Sequence, residues 1–163
     1  MADPIRPTDD EARDLARGLL AQARVAALGV IDPASGAPWV SRVAMAMIAG
    51  APGLLVSTLS QHTGALRADP RCSLLVDGPP GKGDPLTHPR LTLQARAIPA
   101  DKTAYRAAWL ARHPKAALYI DFADFVFLQL AVAGAFLNGG FGRAFRLTPA
   151  DLGLVQTHAE PGP

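Results

Sequence analysis

The stretch RVAALGVI (24–31), DPASGAP (32–38), WVSRVAMAMI (39–48), AGAPG (49–53), LLVSTL (54–59) decides the fold. Short runs rich in β-branched and other apolar residues alternate with Gly- and Pro-bearing turns, which predicts three strands of a meander. RCSLLVD (71–77) supplies a fourth strand, and the polar loop GPPGKGDPLTHP (78–89) separates it from a fifth, Arg90–Ala97. In that fifth strand Arg90, Thr92, Gln94 and Arg96 fall on one face and Leu91, Leu93, Ala95 and Ala97 on the other, so one face is buried and one meets water or a ligand. DFVFLQLAVAGAFL (124–137) reads as a sixth strand, apolar on both faces, with Val126, Leu128, Leu130 and Val132 opposite Phe125, Phe127 and Ala131. A small barrel buries one such face, so the second is expected to meet another subunit in a homodimer.

Helices flank these strands. Thr8 and Glu11 have the spacing of a capping box, followed by apolar residues at helical spacing to Ala23. Residues 100–113 place Ala104, Ala107, Ala108 and Ala111 on one helical face before Pro114 ends the helix, and KAALYIDF (115–122) is a further helical stretch. The expected fold is α+β, a six-stranded antiparallel split β-barrel with flanking helices, in a single domain spanning 1–163 with flexible ends at 1–8 and 153–163.

Composition bounds the function. In 163 residues there are 15 Gly, 15 Pro and a single cysteine, Cys72, and the net charge is +2 with Lys and Arg scattered. A disulfide framework and a multi-cysteine metal site are excluded within the chain, and no basic run favours nucleic acid. The polar, acidic N-terminus has no export signal, and the apolar run Leu130–Leu137 is far below the ~20 residues that span a bilayer. A cytoplasmic protein without membrane or nucleic-acid partners is expected. Cys72 reads as a small buried residue, Trp39 and Trp109 as packing residues, and His88 and His113 as solvated. GPPGKGD lacks the spacing of a phosphate loop, and the turn at Asn138–Arg143 that of a dinucleotide fingerprint.

The densest set of small hydrogen-bonding groups lies in LLVSTLSQHTGALRADPRCSLLV (54–76). Strand three ends there at Ser57 and Thr58, and a short helix begins near Ser60. Helix N-terminal amides and hydroxyls beside a cation suit a phosphate, with Arg42 as the cation and His62 as a further donor.

The succession SRVAMAM (41–47), LLVSTLSQHTGALRADPRCSLLV (54–76) and PRLTLQARA (89–97) resembles the FMN-binding split barrel of the pyridoxamine 5′-phosphate oxidase-like superfamily. YIDFADFVFLQLAVAGAFLNGGFGRA (119–144) is similar to the branch holding the HugZ-type haem-utilisation proteins and the glutamyl-tRNA reductase-binding proteins. The resemblance implies FMN as cofactor. Arg42, Ser57 and Thr58 would hold its phosphate, with Gln61, His62 and Thr63 following. Backbone groups of Ser41, Val43 and Leu59 would face the ring or ribityl chain, and Arg90, Leu91 and Thr92 would reach the flavin across a dimer. Where the oxidases carry a basic pair and a lysine, this chain has Gln61, His62 and Met47, which favours weaker FMN binding or a related ligand. The function implied is an FMN-dependent oxidoreductase of a small-molecule substrate, with no side chain identified as catalytic. The alternative is a non-enzymatic haem- or tetrapyrrole-pathway binding module. Against that alternative stands the second C-terminal domain that HugZ-type relatives carry, which this sequence does not show.

Overall fold

The structure, a computed structural model, describes residues 4–155. In chain order the elements are β1 (Ile5–Arg6), α1 (Asp10–Gln22), β2 (Val25–Ile31), β3 (Pro38–Ile48), β4 (Ala51–Ser57), α2 (Gln61–Ala68), β5 (Arg71–Asp77), β6 (Arg90–Ala100), α3 (Lys102–Arg112), β7 (Phe125–Asn138) and β8 (Ala144–Leu147). The spatial order β7-β4-β3-β2-β5-β6 closes on itself because β6 also pairs with β7, and every pair in that ring is antiparallel. This is the expected six-stranded barrel with three flanking helices. β8 adds to β7, and β1 to β8 in parallel. Residues 5 and 6, assigned to a flexible end from sequence, are therefore paired, and Val155 N donates to Gly50 O at 3.0 Å. The rest of the expected flexible ends, 1–3 and 156–163 with His158, lies outside the described residues.

Local chemistry moves several boundaries. The turn expected over 49–53 shrinks to Ala49–Gly50, both with positive φ (52° and 79°), because Ile48 pairs with Ala51 in a two-residue hairpin. Pro52 then lies inside β4. It pairs with Met47 of β3, while the register to β7 runs only from Gly53 onward, so its missing N–H breaks no bond on that side. The capping box does not form either. Asp9 caps α1 by accepting from Ala12 N at 2.8 Å, and Thr8 Oγ1 donates instead to Arg146 O at 2.6 Å.

Two cores result. The barrel interior holds Leu28, Val43, Met45, Leu54, Leu74, Leu91, Leu93 and Leu130, closed by Ala12, Ala16, Leu19 and Leu20 of α1 and by Ala65 and Leu66 of α2. The second core lies outside the barrel, where α3 packs on β3, β4 and β7. There Trp109, fully buried, meets the edge of Phe127 with ring centroids 5.6 Å apart and stacks on His113 at 4.5 Å. His113 Nε2 lies 2.8 Å from Met45 O, so this histidine is tied down rather than solvated. The alanines that recur at helical spacing along α3 point to solvent, because Tyr105 and Trp109 bury far more area against the sheet. Trp39, expected to pack, is 45% exposed.

The argument for a second subunit changes accordingly. Phe127 and Phe125, on the supposedly uncovered face of the sixth strand, are covered by the chain's own Tyr105, Trp109 and Tyr119. Gly53 makes this possible, since a Cβ there would lie 2.6 Å from Phe127 Cζ. Among the described residues no helix is long and apolar enough to cross a membrane.

Two outcomes are expected. Trp109→Ala should lower stability by about 3–5 kcal/mol in urea denaturation, through lost burial and the cavity left behind. Asp151 accepts from Thr148 N at 2.8 Å, Arg13 Nε at 2.8 Å and Thr148 Oγ1 at 2.9 Å, and these bonds pull its pKa from 3.8 to about 2. A depressed carboxylate stabilises the fold above its unfolded pKa and loses that contribution as pH falls through the folded one. Asp151→Asn should therefore melt lower at neutral pH and lose less than wild type between pH ~4 and ~2.

Candidate functional site

β4 ends at Ser57, and the chain turns through Thr58–Ser60 into α2. Two of the expected hydroxyls, those of Ser57 and Thr63, hold this turn. Ser57 Oγ donates to Asp124 Oδ2 at 2.6 Å and accepts from Leu59 N at 3.1 Å, while Thr63 Oγ1, 2% exposed, donates to Ser57 O at 2.6 Å. Thr58 N donates to Asp124 O at 2.7 Å. His62 Nδ1 sits 3.0 Å from Ser41 Oγ. Burial pushes the His62 pKa below its ordinary 6.5, so the free ring is neutral at neutral pH and adds no cation. Val43 belongs to the barrel interior, whereas Gln61 and Leu59 are exposed. Arg42 is exposed and makes no hydrogen bond or ion pair among the described residues.

Arg90, Leu91 and Thr92 do not join this cluster within one chain. Ser57 pairs with Phe125 at one end of β7, and Arg90 pairs with Asn138 at the other. That separation is on the order of 40 Å along a strand rising about 3.3 Å per residue. The Arg90 guanidinium donates to Leu86 O at 2.8 Å and His88 O at 3.3 Å, and Leu91 is a fully buried core residue.

A wide cleft lies elsewhere, on the outer face of the barrel. It has a volume of about 630 Å³, and small residues of four adjacent strands line it: Gly29 of β2, Ser73 of β5, Ala95 of β6 and Ala133 of β7. At Gln94/Ala95 the register shifts by one residue, leaving Ala133 as an extra residue of β7 that locally bends that strand against β6. Arg71 and Arg96 stand at its margin. Asp69 binds Arg71 bidentately, and this pairing holds the Asp69 carboxyl at about 2, whereas Arg96 forms no ion pair or hydrogen bond among the described residues. A second cleft of about 390 Å³ shares Gln94 and continues past Thr92, Gly134 and Phe136 to Arg146, whose guanidinium carbon sits 5.9 Å from the Phe136 ring centroid. On the opposite side, Val40 pairs with Gly29 and Arg42 with Ala27, which brings the exposed Val40 and Arg42 to the same outer face. No carboxylate lines either cleft.

A broad shallow surface with a floor of small and apolar groups and guanidiniums at its edges suits a flat organic anion. It offers no nucleophile: the buried Cys72 thiol donates to Ala95 O at 3.7 Å, and burial pushes its pKa up to about 11. Among the described residues no group of three or more His, Cys, Asp or Glu side chains is placed to hold a metal ion. The polar face of Arg90, Thr92, Gln94 and Arg96 was the sequence signal for this surface. Its partners from β2 and β7 were missed, because Gly29 and Ala133 carry no chemical signature of their own.

Comparison with known proteins places this geometry in a family. The chain is 37% identical over 124 residues to the non-canonical heme oxygenase HOZ, chloroplastic, of Arabidopsis thaliana, a match covering 69% of this chain and 37% of the plant protein. It superposes with a TM-score of 0.81 on the heme binding protein from Mycobacterium smegmatis, at 34% identity over 91% of this chain and 61% of the other. At 18% identity it shares the fold of HutZ, the heme storage protein from Vibrio cholerae, with a TM-score of 0.68 over 83% of this chain and 97% of the other. The chain thus spans well under two thirds of the length of the plant relative. The resemblance to the oxidase-like split barrels and their haem-handling branch is borne out. With the match running over residues 7–152, the chain belongs to the CREG β-barrel family.

Proposed function

We propose that this barrel binds haem, or a closely similar tetrapyrrole, against its outer face. The observation that carries the reading is the cleft of about 630 Å³ lined by small residues and by Arg96, which forms no ion pair or hydrogen bond among the described residues. A tetrapyrrole is a flat apolar ring with carboxylate arms. It asks for an apolar floor wider than a single side chain and for cations at the edge. Gly29 and Ala133 supply the floor, Arg96 lines this cleft and Arg146 lines the neighbouring one. The names of the relatives at 34% and 37% identity support the same ligand.

FMN, the cofactor expected from sequence, fits less well. Its phosphate would find the Ser57 and Thr63 hydroxyls already donating within the chain and His62 neutral. The oxygenase activity in the name of the plant relative belongs to a chain of which this one covers 37%. Bound haem would supply iron redox chemistry, and the residues of this barrel would supply position and charge.

Titration of the purified protein with haemin, followed at the Soret band, is expected to saturate in the micromolar range or below. Arg96→Ala should weaken binding roughly 10- to 100-fold, the worth of one charge-assisted contact. Unsaturable haemin absorption together with stoichiometric quenching of FMN fluorescence would overturn the reading in favour of a flavoprotein.

A further inference from the structure

The geometry points to Asp124 as a specificity residue that keeps phosphorylated ligands out of the Ser57–Thr63 segment. Apart from Asp124, the segment is ready for an anion. The first-turn amides of Gln61 and His62 have no acceptor within α2. The Asp124 carboxylate reverses this. Ser57 Oγ gives its only proton to Asp124 Oδ2 at 2.6 Å and accepts from Leu59 N at 3.1 Å, so the hydroxyl has no donor left for a ligand. A phosphate oxygen taking that proton would lie within ~5 Å of the carboxylate, since each hydrogen bond to the hydroxyl is under about 3 Å. Two like charges at that distance in a half-buried site repel strongly.

The charge is neither neutralised nor free to leave. Among the described residues no basic side chain forms an ion pair with Asp124. The Lys102 ammonium, bound to this turn, donates to Phe122 O at 2.9 Å and Phe125 O at 2.7 Å. The Asp124 backbone is pinned as well, because its carbonyl accepts from Thr58 N at 2.7 Å and Phe125 is in register with Ser57. The same turn that closes β4 onto β7 therefore fixes a carboxylate against the hydroxyl. The inference is independent of haem: it concerns which anion this segment rejects.

The experiment follows backbone amide NMR signals of Gln61 and His62 while FMN, riboflavin or inorganic phosphate is added to wild type, Asp124→Asn and Asp124→Ser. Wild type is expected to show no phosphate-dependent shift and at most the same weak response to FMN as to riboflavin. In both variants FMN and inorganic phosphate should produce saturable shifts, with FMN at least about tenfold tighter than in wild type and riboflavin unchanged. Signal dispersion in the same spectra reports the fold, and the serine variant covers the case in which the asparagine disturbs the turn. Folded variants that gain no phosphate response would overturn the inference, as would a wild type that already prefers FMN to riboflavin a hundredfold. Haemin binding by the same variants tests the tetrapyrrole reading separately, since loss of one result leaves the other standing.

Discussion

The pairing of β6 with β7 is the constraint on which the rest of the molecule depends. Its register runs from Arg90↔Asn138 to Ala100↔Phe127 and turns an open meander into a closed barrel. Closure removes the unpaired edges that β6 and β7 would otherwise expose, and it forces a curvature that the strands accommodate at the Gln94/Ala95 shift. Interior positions then become a single apolar core in which Leu28, Leu54, Leu74, Leu91 and Leu93 are fully buried. The same closure sets the outer face. Gly29, Ser73, Gln94 and Ala133 come together there only because four strands distant in sequence are adjacent around the ring.

The other end of β7 answers a different problem. The outer face of its first half, at Phe125 and Phe127, is covered by the chain's own α3 and the segment after it. Trp109 and Tyr105 reach down onto Phe127, and the absence of a side chain at Gly53 lets the Phe127 ring lie against the sheet. This packing also positions the turn at 121–124, and with it Asp124, beside the end of β4. Packing of a helix on the outside of the barrel thus bears on the electrostatics of a loop, a link that no residue in the loop announces.

Charge distribution separates the two candidate surfaces. At the end of β4 a carboxylate, a neutral histidine and the internally bonded Ser57 and Thr63 hydroxyls lie together. On the outer face Arg96 and Arg146 stand beside small and apolar residues, and the acid there, Asp69, is taken up by Arg71. A dianion with a compact charge needs several donors converging on one point, whereas a flat ring with carboxylate arms needs cations spread along an edge. The outer face meets the second requirement.

The sequence by itself determined the strands, because period-two alternation in Arg90–Ala97 and turn residues between short apolar runs are local signals. It determined the helices at both ends for the same reason, and the family resemblance supplied the barrel topology. It also marked Arg42, Ser57, Thr63 and His62 as one group, and the structure keeps Ser41 on His62 and Thr63 on Ser57. Where hydroxyl protons go was not legible. Asp124 is 67 positions from Ser57, and only the β4–β7 register brings them within 2.6 Å. Nor was the outer cleft legible, since glycine and alanine signal nothing until closure sets them side by side. Burial choices were likewise tertiary: α3 turns its aromatics inward and its alanines outward because the area gained on the sheet outweighs the regular alanine spacing. Local periodicity is written in neighbouring residues, but which charges meet, and which face is left open, depends on contacts between segments far apart in the chain.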